Sequence, residues 1–380
     1  MNDLMKRMKI LLGTPTAPFR EMWVCEEIDR MLDDIPDLEL KADRFGNRIA
    51  RLRRGNPPGI KFIFIAHMDH PGFIFDEEHG ASLNQDHLYE AVFEGRVQDS
   101  FFENGPVRLF RSHDDPGVKG RVLRAEPVNP TTDNRRILIE APEEAEGAKL
   151  AMWDVTSFSF EDGQFKGRAC DDLAGCVSII ETLARLAESD EELDVSAIFS
   201  RAEEAGFCGV ASLLNEETLP EPLPQHAVFI SVEASSELPG IRLGDGVLIR
   251  IGDKAFTFDG PLSDALFNAA KRRRLNAKRA LMDAGTCEAS PFIASGHRAG
   301  GICIPLRNYH NMDIKAGKIA QEMVDSRDVE QMVQLMTALA GDTSLNTQDI
   351  RPPLKNMELY VKKGYEYLEP IPLHGKVAAS

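Results

Sequence analysis

The stretch Phe62–Phe73, FIFIAHMDHPGF, decides the fold. Four large apolar residues, Phe62 to Ile65, run without a break, and the run then ends at His67, Asp69 and His70. An unbroken apolar run of this length predicts a strand covered on both faces, as in a parallel sheet flanked by helices. Ligand sites of open α/β sheets lie beyond the carboxyl ends of the strands. A buried strand that finishes in imidazole and carboxylate groups therefore raises the question of a metal site.

Working outward, the same texture returns on both sides. Phe19–Leu32, FREMWVCEEIDRML, has helical spacing, with Met22, Cys25, Ile28 and Met31 or Leu32 on one face. Leu38–Leu52, LELKADRFGNRIARL, predicts two strands around a Phe-Gly-Asn turn. Asp171–Ser189 predicts a helix whose stripe is Leu173, Cys176, Val177, Ile180, Leu183, Ala184 and Ala187, with Asp172 biasing or capping its start. LDVSAIFSRAEE (193–204), HAVFISVEAS (226–235) and GGICIPLRNYHN (300–311) are further strand-like runs. The predicted class is α/β, a mostly parallel or mixed central sheet with helices on both faces.

Between about Phe73 and Phe165 the periodicity changes. Short alternating stretches recur in RVQDSF (96–101), PVRLFRS (106–112), GVKGRVLRAE (117–126), RRILIEA (135–141) and DVTSFSF (154–160), separated by Gly, Pro, Asn and Asp. This predicts an inserted all-β module, a small barrel. The expected organisation is a discontinuous catalytic α/β domain, 1–72 and 166–340, a β insert over 73–165, and an unassigned tail over 341–380 with one amphipathic segment, Leu354–Leu368.

The formal net charge of −17 over 380 residues argues against nucleic acid and against an anionic membrane as partners. The basic run Lys271–Arg279 has no interleaved aromatic residue and reads as a solvated helix face or subunit contact. The six cysteines form no CxxC pair, which suits reduced thiols in a cytoplasmic protein. Neither a signal peptide nor a membrane-spanning run is visible.

Four of the strand-like runs finish in metal-ligating residue types: His67 and Asp69, Glu203 and Glu204, Glu233, and His310. Asp171 opens the long helix. His67 and Asp69 are two apart and share a strand face, so Asp69 can accept the free imidazole N–H of His67. Glu203 and Glu204 are adjacent and fit a loop, where one binds metal and the other holds a water. Imidazoles with carboxylates and no cysteine pair suit Zn, with Co or Mn as the alternatives. Two His and three carboxylates suit two divalent ions sharing one carboxylate, with the remaining Glu as general base. His70 stands beside this group and is assigned to the substrate side of it. The other histidines, 79, 87, 113, 226, 297 and 374, read as surface or structural.

In this arrangement the chain resembles the dinuclear metalloaminopeptidases of the glutamyl-aminopeptidase and tetrahedral (TET) type, which also carry the name endoglucanase, within the wider zinc-peptidase clan that includes carboxypeptidases and deacylases. The resemblance rests on the ordered set AHMDHPGF, GRACDDLAGC, RAEEAGFCG, ISVEAS, GTCEAS and PLRNYHN, with the β insert between His67 and Asp171. It implies that His67 and Glu233 bind a first ion, Glu204 and His310 a second, and that Asp171 bridges them. Asp69 would stand behind His67, and Glu203 would be the general base. The implied activity is removal of N-terminal residues from peptides by a homo-oligomer, commonly of twelve subunits. Glu233 and His70 stand where that family usually has Asp and Glu. Alternatives are an amidohydrolase, deacylase or carboxypeptidase on a small N-acyl or peptide substrate, and a non-catalytic scaffold of the same fold.

Overall fold

A computed structural model describes residues 2–128, 134–214 and 227–341. The tail segment Leu354–Leu368, His226 and His374 lie outside the described residues.

The strand Lys61–His67 sits in the middle of an eleven-stranded sheet. Leu193–Ser200 runs parallel to it on one side and Ala227–Ser236 on the other, and Arg298–Arg307 continues the parallel core beyond Ala227–Ser236. Antiparallel strands flank this core. On one side stand Arg48–Arg54 and Leu38–Ala42, the hairpin expected around the Phe-Gly-Asn turn. On the other, Arg298–Arg307 pairs with both Val247–Asp253 and Glu322–Asp325, so the sheet forks there. The sheet is therefore mixed, with a parallel centre.

The apolar run Phe62–Ile65 explains why this strand is central. Phe62, Phe64 and Ala66 face the larger core, which includes apolar residues of the helices Asn2–Gly13, Met22–Asp33, Cys170–Ala187, Gly260–Arg272 and Ser326–Ala340. Ile63 and Ile65 face a smaller core with Val210 and Leu213 of the helix Cys208–Leu213 and Phe292 of Ala289–Ala294. Each such side chain contributes roughly 1.5–3 kcal/mol by leaving water. A strand with payload on both faces cannot sit at an edge. Helices cover both faces, but unequally.

The insert is a closed six-stranded barrel in the order Gly72–Ile74, Tyr89–Glu94, Arg135–Glu140, Val118–Pro127, Pro106–Phe110 and Leu150–Trp153. Phe73, Phe93, Phe102 and Trp153 fill it, mostly edge to face, with centroids 4.8–5.9 Å apart. Its outer side joins the main core through Phe110, Leu150 and Met152.

Several local expectations change. The stretch 154–160 is not part of the barrel, because Phe158–Glu161 forms a hairpin with Gln164–Gly167, which pairs with Glu322–Asp325 at the sheet margin. The barrel strands accordingly end at Trp153, short of residue 165. Asp99–Phe101 within RVQDSF is a 3₁₀ turn. Met22 is 40% exposed, and Trp23 and Val24 carry its helix into the core instead. Lys271–Arg274 are exposed at the end of the helix Gly260–Arg272, whereas Ala277–Arg279 belong to the strand Ala277–Met282, so only the first part of the basic run lies on a helix.

Candidate metal centre

The parallel registers bring His67, the end of Leu193–Ser200 and Glu233 to one level, and His310 reaches the same place from the 3₁₀ turn Tyr309–Asn311 that follows Arg298–Arg307. Ser200 pairs with His67, and Ser231 pairs with Ile65, which places Glu233 two residues further on, beside His67. Beyond Ser200 the chain turns through Ala202, at φ 50°, so that Glu203 and Glu204 lie in a loop. Both of their backbone N–H groups donate to the Asp69 carboxylate, at 2.9 and 3.0 Å. The carboxylate of Glu21 holds the same turn, accepting from Ala202 N at 2.9 Å and from Arg201.

Asp171 lies at the irregular start of the long helix, with a cis peptide bond to Asp172. Glu322, fully buried, accepts Asp171 N at 3.0 Å with one carboxylate oxygen and His310 N at 2.7 Å with the other. Asn308, His310 and Asn311 all have positive φ. Such conformations cost of order 1–3 kcal/mol each and persist where the surroundings over-determine them. Here the surroundings include the barrel, since Arg96 offers its carbonyl to His310 Nδ1 at 2.6 Å, and Tyr309 stacks on the His310 ring at 3.7 Å. Gly95, at φ 103°, lets that barrel segment approach, because a Cβ there would stand 2.7 Å from the Pro71 side chain.

Two groups of ligand atoms result, each within 4.8 Å of one another: His67 with Asp171 and Glu233, and Glu204 with Asp171 and His310. They share Asp171. Glu203 falls in a third group with His67 and Glu204. Asp171 Oδ1 and His310 Nε2 are buried and, among the described residues, meet only other members of the cluster, His67 Nε2 at 3.4 Å and Glu204 Oε1 at 2.8 Å, without a well-formed hydrogen bond. Buried imidazole and carboxylate atoms that face one another in this way fit divalent cations. The cluster forms the floor of a cavity of about 390 Å³ whose walls include Phe19, Phe207, Tyr309 and the barrel residues Glu94, Arg96 and Asn134.

The electrostatics reflect crowded acids. Burial lifts the Glu203 carboxyl well above its ordinary value, partly offset by His67, and Glu204 and Glu233 push the same way. Burial also lifts Glu233, against the pull of Arg250, whose guanidinium lies 3.9 Å away. Ser231 Oγ donates to Glu233 at 2.8 Å. For His310 burial acts downward, but the charge and hydrogen bond of Glu204, the Asp171 charge and the Arg96 carbonyl together outweigh it and raise the pKa to about 9.

Three expectations are refined. His67 Nδ1 hydrogen-bonds to the Asp69 carbonyl at 3.1 Å, with the Asp69 carboxylate at 3.5 Å, because that carboxylate serves the Glu203–Glu204 turn. His67 Nε2 remains directed to Asp171, 3.4 Å away. His70 does not face the cavity. It is fully buried behind Asp171, with Nδ1 2.6 Å from the Asp171 carbonyl and Nε2 3.0 Å from Asn311 Oδ1. Asp172 makes no capping hydrogen bond to its helix. Sequence reading missed Glu322, Glu21, Arg250, Glu288 and the Arg96 carbonyl. Of these, Arg250 carried a signal as a charge inside the apolar run VLIRIG, and Glu288 as part of the motif GTCEAS.

A mixed α/β sheet whose central strands and the turns that follow them bring two imidazoles and several carboxylates to one cavity fits a metal-dependent exopeptidase. The description M42 glutamyl aminopeptidase matches residues 95–335, and the chain belongs to that family. It is a metal-dependent aminopeptidase that hydrolyses peptide bonds. Solved structures share the fold. The aminopeptidase APDkam598 of Desulfurococcus kamchatkensis is 21% identical, with a TM-score of 0.72 over 92% of this chain and 97% of that one. The TET aminopeptidase of Thaumarchaeota archaeon SCGC AB-539-E09 is 19% identical, with a TM-score of 0.73 over 92% and 99%. The TET1 peptidase of Pyrococcus horikoshii, which can assemble into a tetrahedron or a large octahedral shell, is 22% identical, with a TM-score of 0.69 over 89% and 99%.

Glu288 generates a test. It is fully buried, Ser200 Oγ donates to it, and burial together with Glu233 raises its carboxyl from 4.5 to about 8, against the pull of His67. The folded metal-free protein therefore keeps a proton that the unfolded chain has released, so this contribution to stability is complete below 4.5 and is lost as pH rises toward about 8. Glu288→Gln should flatten the fall in stability across that window, by up to about 1.4 kcal/mol per pH unit. Urea melts of metal-free protein read this out, and identical slopes in wild type and variant would contradict it.

Proposed function

We propose that the chain works with two divalent ions, Zn in first place and Co or Mn as alternatives, and that it removes N-terminal residues from peptides with a free amino group. What supports this reading is the pair of ligand groups that share Asp171. His67 and Glu233 would hold one ion, Glu204 and His310 the other, and Asp171 both. Two ions bound there supply Lewis acidity, lowering the pKa of water and polarising a carbonyl.

The remaining work falls to the chain. Glu203 takes the proton of the attacking water and returns it to the leaving amine. Its backbone is held by Asp69 so that the side chain stays beside His67 and Glu204. The Arg96 carbonyl fixes the His310 tautomer with Nε2 toward Asp171 and Glu204. Phe19, Phe207 and the barrel residues Glu94 and Asn134 wall the substrate side. The barrel thus acts as a lid over the site. Family membership and the free thiols support a cytoplasmic protein.

Glu203→Gln should lower kcat on aminoacyl anilides about 10²–10⁴-fold with metal content unchanged, and blocking the substrate amine should abolish turnover. Steady-state kinetics with elemental analysis checks both. Unchanged turnover in the variant would remove Glu203 as the base, and preferred cleavage of N-acylated substrates would favour a deacylase.

We also propose a homo-oligomer larger than a dimer, commonly of twelve subunits in proteins of this type, with the barrel contributing contacts. Multi-angle light scattering should give a mass several times that of one chain. A monomer at all working concentrations would refute it.

A further inference from the structure

A second cleft, of about 560 Å³, lies between the barrel and the N-terminal segment and shares no lining residue with the metal-ligand cavity. Arg168 is part of its wall. This side chain is 5% exposed, and its guanidinium sits over the Phe110 ring at 4.9 Å. Nη2 donates to the Gly13 carbonyl at 2.7 Å, whereas Nε is buried with no acceptor among the described residues. Arg108 and Lys119, paired in register across neighbouring barrel strands, line the same cleft. Burial and the Arg108 charge draw the Arg168 pKa down to about 10.

The acidic side is thinner. Asp154 accepts from Arg108 Nε at 2.7 Å and lies 3.9 Å from Lys119 Nζ. Asp115 is occupied by Arg111 and by the backbone N–H of Gly117. Arg108 also donates through Nη1 to the Pro116 and Gly117 carbonyls, at 2.9 and 3.2 Å, so Asp154 is committed to Arg108, and Arg168 in the wall and the exposed Lys119 at the rim are left without a close carboxylate of their own among the described residues, in a chain whose net charge is −17. A guanidinium buried without a counter-charge is costly, and its planar fork matches carboxylate and phosphate. The volume falls in the range of small-molecule pockets, roughly 300–1,000 Å³. Thr156 and Ser157 line the cleft beside the cations, with the buried Phe110 and Pro15 behind them.

We propose that this cleft binds a small organic anion through a carboxylate or phosphate group, with Arg168 as its buried partner and Arg108 and Lys119 at the rim. This assignment is independent of the catalytic reading. The two sites are nevertheless joined, since the Arg168 carbonyl accepts Asn311 Nδ2 at 2.9 Å and Asp171 follows three residues later.

The test is calorimetric titration of the full chain with phenyl phosphate, with benzoate and with neutral benzamide. At least one anion should bind and benzamide should not, and the stronger anion identifies the group preferred. Lys119→Ala and Arg168→Gln should each weaken binding about tenfold or more, Arg168→Lys less, and added salt should weaken it too. Lys119 is exposed, so its variant decides the matter should Arg168→Gln not fold. The proposal is overturned if neither anion binds, if benzamide binds equally, or if Lys119→Ala leaves the affinity unchanged.

Discussion

Mutual repulsion among acids held out of water is the constraint on which this structure turns. Asp171, Glu203, Glu204 and Glu233 meet within one cavity, with Asp172, Glu288 and Glu322 buried around them. At an effective dielectric of 20, two like charges 4 Å apart cost about 4 kcal/mol. His67, His310 and Arg250 answer part of this, and two divalent cations would answer the rest. The surrounding architecture can be understood as the means of holding such a cluster in place. Glu322 clamps the backbones of Asp171 and His310, Asp69 clamps those of Glu203 and Glu204, and Glu21 braces the turn before them. In each case a carboxylate oxygen accepts a main-chain N–H, so the anions that do not line the cavity are used to set the direction of those that do.

The barrel belongs to this arrangement as well as to the architecture. Its aromatic core makes it a packed unit, and its outer residues Phe110, Leu150 and Met152 are continuous with the main core. It also reaches the site, through the Arg96 carbonyl on His310 and through the Glu94 and Asn134 wall. Removing the barrel would leave His310 without the group that orients it.

Much of this was legible in the sequence, and the reasons are physical. A strand buried on both faces is written as an unbroken apolar run, so Phe62–Ile65 pointed to the centre of a sheet, and the residues that ended such runs pointed to its active edge. Alternating short segments announced a β insert, although the hairpin Phe158–Gly167 has the same local texture and only its pairing with Glu322–Asp325 assigns it to the main sheet. The supporting groups were less visible. Glu322 sits in the unremarkable sequence QEMVD, and Arg96 acts through a carbonyl that every residue has. His70 was misplaced because nearness along the chain says nothing about which side of Asp171 a ring occupies. Its burial against Asn311, 241 residues away, is a tertiary fact.

The central claim is that Asp171 is common to two metal sites, and metal stoichiometry tests it most directly. Zinc titration of the metal-free chain, followed by elemental analysis after dialysis, should give two ions per chain. In Asp171→Ala both affinities should fall together, because each ligand group loses the same carboxylate. Two ions retained with unchanged affinity in that variant, or a single ion in the wild type, would contradict the account.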